Sequence, residues 1–205
     1  MYRIFFNKRC LAVCSPKHKA LTEPDAVIYS PDIFPKLEDL PRYFEETPQL
    51  EKLYISTEDK VQTIARLTTN LTPITAGGGI VRNKKGEYLI IFHHGVWDFP
   101  KGMQEQGEDI SQTAIREVQE ECGVQDLQLC EHLCDTFHTY HRDGLFYLKT
   151  TSWFHMNYLG NGTDTHPQSE EDIERAIWAP ESQLPNYFSD TYPSIQFLYK
   201  LVTGQ

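Results

Sequence analysis

Three glutamates, Glu117, Glu120 and Glu121, recur at a spacing that a helix turns into one acidic ridge. At 3.6 residues per turn they fall within roughly a 100° arc. Carboxylates so arranged repel one another, at about a few tenths of a kcal/mol per pair, and no Lys or Arg is interleaved on that arc. Hard oxygen ligands on one rigid face suit Mg²⁺ or Mn²⁺. Spacing alone leaves a solvated acidic face as the alternative.

The helix needed to hold this ridge is written into its flanks. Asp109 can cap it and Gln112 completes a capping-box pair, while Gly123 supplies the residue that stops a helix in the left-handed conformation. Ala114, Val118 and Cys122, extended by Ile115, form an adjoining apolar stripe that docks the helix on a sheet. Around it the pattern is β-rich. Strands are expected over 74–81, 88–93, 127–140, 145–158 and 173–178, a turn over 83–86, a Gly-rich acidic loop ahead of the helix, and a closing helix over 192–202. Gly77, Gly78 and Gly79 inside a strand imply close backbone approach. Before residue 74 the pattern is a smaller α/β unit: strands over 2–6, 10–14, 26–29 and 52–56, a helix over 37–46 despite Pro41, and a second helix to about 67 capped at Ser56 or Thr57. The expected organisation is therefore an N-terminal α/β extension, 1–73, followed by a main domain, 74–205.

Charge divides at the same place. Residues 1–73 hold ten basic and ten acidic side chains; residues 74–205 hold nine and nineteen, so the whole net charge of −10 belongs to the second part. Residues 102–124 alone carry six acids against the single base Arg116, half of that excess. Such a balance argues against a protein that holds nucleic acid by neutralising phosphates. No apolar run approaches the roughly 20 residues of a membrane span, and the opening stretch, broken by Arg3, Lys8 and Arg9, has no signal-peptide core. A cytoplasmic protein is expected. The five cysteines, an odd number, do not read as a disulfide framework. The CxxxC pairs Cys10/Cys14 and Cys130/Cys134, the latter near His132 and His138, are better read as plain thiols than as a zinc site.

Residues 102–124 also fill a longer pattern: Gly102, Glu108, Arg116-Glu117-Val118, Glu120-Glu121 and Gly123-Val124. With nine fixed or class-restricted positions at one spacing, this segment resembles the Nudix box, G-x5-E-x7-R-E-U-x-E-E-x-G-U with U aliphatic. The strand order from about 74 to 205 resembles a Nudix domain as well; residues 1–73 lie outside the resemblance. The resemblance implies an α/β/α sandwich with a mixed sheet and a Mg²⁺-dependent pyrophosphohydrolase cleaving a nucleoside diphosphate linked to another group. Carried over position by position, Glu117, Glu120 and Glu121 would be metal ligands and catalytic residues, joined by the backbone carbonyl of Lys101. Glu108 and Arg116 would be the structural ion pair that ties loop to helix. Since the proton acceptor in this fold is not always a box residue, Glu170 and Glu171 are candidates outside it.

Substrate choice rests on neighbouring residues. Trp97-Asp98-Phe99-Pro100-Lys101-Gly102 resembles the W-x-x-P-K-G approach of Nudix enzymes acting on dinucleoside polyphosphates, capped RNA or inositol pyrophosphates. Tyr140, sixteen residues past Val124, matches a tyrosine of the dinucleoside polyphosphate branch. ADP-ribose-type relatives commonly carry a proline where Thr139 and Tyr140 stand here. Lys101 is the phosphate candidate, and Trp97, His93, His94, Phe137 and Tyr140, with His138 and His141 nearby, offer stacking faces and donors. A dinucleoside polyphosphate-like small molecule is the preferred substrate. ADP-ribose, a nucleotide sugar or NADH is the alternative, as is a Nudix module that senses a nucleotide without cleaving it. Residues 1–73 leave two roles open: a homodimer contact or lid, or a cover for a sheet edge.

Overall fold

Continuous apolar runs end Tyr2–Phe6 (β1) and Arg9–Cys14 (β2), both strands being buried there, and the two pair as an antiparallel hairpin with Ile4 opposite Leu11. Lys52–Ser56 (β3) lies parallel to β2. Helices Leu40–Glu46 (α1) and Lys60–Thr68 (α2) bury Leu40, Phe44 and Leu67 in a core with Ile4, Phe6, Leu11, Val13 and Leu53. Arg9 donates to the carbonyls of Phe44, Glu45 and Thr47 at the end of α1, and its guanidinium lies over the Phe44 ring. Three local expectations shift. The first helix starts at Leu40, not residue 37, with Pro41 in the first turn where no donor is needed. The second is capped by Asp59, whose Oδ1 accepts from the Gln62 N–H at 2.9 Å, because Thr57 is used in the preceding turn. The strand expected at 26–29 reduces to one bridge, Ile28 with Tyr54.

In a computed structural model that describes residues 1–204, these elements form one of two units: Met1–Pro73 together with Phe137–Lys149. Within it β1 runs parallel to residues 137–138, Ile4 facing Phe137, and Phe137, Phe146 and Leu148 complete the core.

The second unit comprises Ile74–Thr136 and residues 150–204. Its strands are Thr72–Arg82 (β4), Glu87–His93 (β5), Val96–Asp98 (β6), Lys101–Met103 (β7), Leu127–Arg142 (β8), Leu145–Tyr158 (β9) and Ile173–Pro180 (β10). The order is β10-β5-β4-β9-β8, with β6 antiparallel beside β5 and β7 beside β4. The β8/β9 hairpin gives its base to this unit and its tip, 137–149, to the first. Helix Ile110–Cys122 (α3) packs its stripe, Ala114, Val118 and Cys122, onto Val81, Leu89, Ile91 and Met156. The alternate residues of the same strands, Ile80, Tyr88 and Ile90, pack with Trp153 on Leu184–Tyr187 (α4) and Pro193–Thr203 (α5). A mixed sheet between helices, the sandwich expected, is thus the fold.

The glycine run explains how α3 comes so close. A Cβ on Gly77 would lie 2.7 Å from the Ala114 nitrogen, and one on Gly79 2.5 Å from a Val118 methyl. Side chains there would lift the helix off the sheet. The loop expected ahead of α3 contains β7, and the residues just before it, for which no element was expected, form β6. Their three-residue length shows no periodicity, and they exist because their backbone groups pair with β5 and β4.

Candidate active site

Helix α3 begins and ends as its sequence demands. Asp109 Oδ1 accepts from the Ser111 N–H and the Gln112 side chain accepts from the Asp109 N–H, closing the capping box, and Gly123 ends the helix at φ 66°. Between them the acidic ridge is held by Arg116. Its Nε and Nη2 donate to the two Glu108 oxygens at 2.7 and 3.0 Å, and Nη2 also reaches the Met103 carbonyl. Its Nη1 donates to Glu117 and to Glu120, each at 2.8 Å. The ridge is therefore not free of base, since Arg116 curls back to serve two of its three carboxylates. The Arg116 bond, with the Glu105 N–H and Thr113, draws the Glu108 carboxyl down to about 2. Glu108 and Arg116 thus tie the loop to the helix.

Glu117 and Glu121 point inward. Glu117 is 5% exposed and Glu121 4%, whereas the Glu120 side chain keeps 48% of its surface. Glu121 accepts from the Lys101 N–H at 2.8 Å. Gly102 lies flat against Glu117, where a Cβ would stand 2.0 Å from the carboxylate oxygen. Burial raises the Glu117 pKa against the opposing pull of Arg116. It pushes Glu121 up to about 8, with Lys101 opposing. Two buried acids side by side, each with burial disfavouring its charged form, are a pair that could hold a cation.

A third carboxylate arrives from outside the helix. Residues 166–171 are strapped to the end of α3: His166 N–H donates to the Cys122 carbonyl and Gln168 N–H to that of Glu121. Gly123 keeps this strap close, since a Cβ there would meet His166 at 2.6 Å. The following 3-10 turn, Ser169–Glu171, brings Glu171 to the pair, so that one oxygen each of Glu117, Glu121 and Glu171 lies within 4.8 Å of the others. Glu120, expected among the ligands, stands outside this threesome with its carboxylate on Arg116. Glu170 turns elsewhere and accepts from Ser169.

Lys101 is locked at both ends, its N–H on Glu121 and its Nζ 3.1 Å from Asp98 Oδ2. Burial opposes the Lys101 charge, but the Asp98 and Glu121 carboxylates outweigh it and hold the ammonium above its usual pKa. Asp98 is buried, and its other oxygen accepts from the Phe99 N–H. Sequence reasoning missed this acid; its signal was a carboxylate inside the apolar run ahead of Lys101. The His93 and His94 rings lie 3.8 Å apart, tilted by 33°, and burial, then the Lys101 charge, lowers the His93 pKa. Trp97 packs on Phe92 and Tyr187. Phe137 and Tyr140 fall in the first unit. There the Phe137 ring is engaged by Tyr2 in the core, and Tyr140 stacks on Tyr147 and lies near His138. All five cysteines are free thiols, and burial holds Cys10 and Cys134 near 11.

The family model of the NUDIX domain matches residues 72–200. The chain belongs to the Nudix hydrolase family. It is 38% identical over 93 residues to the putative mutator protein MutT4 of Mycobacterium tuberculosis, covering 44% of this chain and 35% of that protein. To Nudix hydrolase 2 of Arabidopsis thaliana it is 30% identical over 136 residues, 62% of this chain and 47% of that one. The chain thus spans less than half the length of these relatives. Among solved structures, the binary complex of the C. elegans Ap4A hydrolase superposes with a TM-score of 0.51 at 22% identity, over 64% of this chain and 96% of that one. The E. coli ORF135 protein does so with 0.50 at 17%, over 66% and 92%. These share the Nudix fold, and α3 is the Nudix helix.

Proposed function

We propose that this Nudix chain is a divalent-cation-dependent pyrophosphohydrolase that cleaves a phosphoanhydride within a nucleoside diphosphate derivative. The observation that carries the reading is the threesome Glu117, Glu121 and Glu171, two of them buried, gathered within 4.8 Å. With Glu120 at the rim and the Lys101 carbonyl, these are the hard oxygen donors that would hold Mg²⁺ or Mn²⁺. When bound, the cation screens the pyrophosphate charge and makes the attacking water more acidic.

The chain's own groups do the rest. Glu171, the exposed member of the threesome, takes the proton as water oxygen bonds to phosphorus. The anhydride P–O bond breaks, and both electrons leave with the departing phosphate. Lys101 and its Asp98 partner stand beside the cluster, with the ammonium positive at every working pH. Arg116 holds Glu117 and Glu120 in place. Among substrates, a dinucleoside polyphosphate is favoured on the Trp97-to-Gly102 segment and Lys101; the Ap4A hydrolase is a neighbour in fold only. The role of Tyr140 in this reading rests on its spacing from the box.

A panel of dinucleoside polyphosphates, ADP-ribose, nucleotide sugars, NADH and nucleoside triphosphates, each assayed with Mg²⁺, tests the proposal. Turnover of at least one, abolished by chelation, is expected, with the dinucleoside polyphosphates highest. Tight binding of one compound with turnover of none would mark a sensing module instead.

A further inference from the structure

The second unit contains three arginines, Arg82, Arg116 and Arg175. Arg82 is paired with Glu181, and Arg116 with three glutamates. Arg175 has no carboxylate partner among the described residues. Its guanidinium lies over two aromatic rings instead, 4.6 Å from the Phe92 centroid and 4.8 Å from that of Trp97. A guanidinium lying on ring faces keeps its N–H edges free, and the rings fix its plane at little entropic cost.

Its placement is tied to the site at both ends. Arg175 pairs with Phe92, and Phe92 with Trp97, so the three form one row across β10, β5 and β6. The row stands four residues after Glu171 and four before Lys101, hence within roughly 14 Å of chain from either. The register between Ile173 and Arg175 slips by one residue. Such a bulge re-aims the side chain that follows it. In a protein of net charge −10, an anchored guanidinium without a carboxylate partner among the described residues, four residues along the chain from Glu171, is suited to an anion that the acidic cluster alone would repel.

We propose that Arg175 is an anion-binding residue of the substrate site, taking the phosphate beyond the pair under attack, so that the site favours chains of three or more phosphates over diphosphates. This rests on the hydrolase reading above, but its test has a readout independent of turnover. Inorganic tripolyphosphate and pyrophosphate are titrated into the whole chain with Mg²⁺ by calorimetry, for wild type, Arg175→Gln and Arg175→Lys. The wild type should bind tripolyphosphate about tenfold or more tightly than pyrophosphate, the size expected of one hydrogen bond between charged groups. R175Q should erase that gap and leave pyrophosphate affinity unchanged, while R175K, which keeps the charge but not the planar fork, should retain part of it. Equal binding of both probes by the wild type overturns the inference. So does a gap that survives R175Q, or a loss that R175Q spreads equally over both probes. Should R175Q not fold, R175K is scored alone, and an undiminished gap in it counts against the guanidinium. Failure of the hydrolase reading looks different: turnover is absent across the nucleotide panel while the binding gap is still measurable.

Discussion

Replacing Gly102 by alanine perturbs the site through one methyl group. The new Cβ would stand 2.0 Å from one Glu117 oxygen, 2.4 Å from the other and 2.1 Å from the carboxyl carbon. Relief to the closest tolerable approach of about 3.0 Å requires the carboxylate to move by about 1 Å. Glu117 has little room for this: it is buried, and Arg116 holds one of its oxygens at 2.8 Å. A displacement of about 1 Å in a reacting array costs on the order of 10²-fold in rate, while overpacking costs about 1–3 kcal/mol of stability. Gly102→Ala should therefore fold, melt some degrees lower, lose about a hundredfold in kcat, and bind Mn²⁺ more weakly. The assays are steady-state kinetics on the best substrate of the panel, calorimetry with Mn²⁺ and a thermal melt. Unchanged kcat and Mn²⁺ affinity in a folded G102A protein would refute the role given to Glu117 and its glycine cradle.

Glu171→Gln should cut kcat by about 10²–10⁴-fold, the range of a lost general base, whereas Glu170→Gln should stay near wild type. Equal effects from the two would undo the choice between them. In the cation-free protein, the raised pKa of Glu121, about 8, makes the folded state hold its proton more tightly than the unfolded chain. The resulting stability is present below about pH 4.5 and is lost as pH rises toward 8, by about a few kcal/mol. Melting in chelator should thus worsen from pH 5 to 8, and Glu121→Gln should flatten that slope; a wild-type slope in the variant would count against it. Glu108, drawn down to about 2, acts oppositely: its contribution is present above about pH 4.5 and fades as pH falls toward 2. Glu108→Gln should remove that acid limb of the melting curve. A chain beginning at Thr72 loses β1, β2 and both helices that cover Phe137, Phe146 and Leu148, and should aggregate; a monodisperse product by light scattering would contradict this.

The Nudix helix was legible because everything that defines it is local. Asp109, Gln112 and Gly123 act on backbone groups within one turn of themselves, and Ala114, Val118 and Cys122 repeat at the helical period. The long strands showed by length and alternation. The contribution of Glu171 over its neighbour could not be read this way. It depends on the bonds from His166 and Gln168 to the last turn of α3, made between residues more than forty positions apart in sequence, and along the chain Glu170 and Glu171 are equivalent. The same holds for β6 and β7, which have too few residues to show a period, and for Asp98, whose partner Lys101 stands three residues on in the next strand. Arg116 shows the converse limit. Its position off the acidic arc was plain, but its reach back across that arc is a property of a long side chain rather than of spacing.

Crystals of the whole chain soaked in Mn²⁺ and measured at the manganese absorption edge test the central claim most directly. An anomalous peak bounded by Glu117, Glu121 and Glu171, absent from Glu121→Gln crystals treated alike, is the predicted result. A fully soaked wild-type crystal with no peak among those three carboxylates would contradict it.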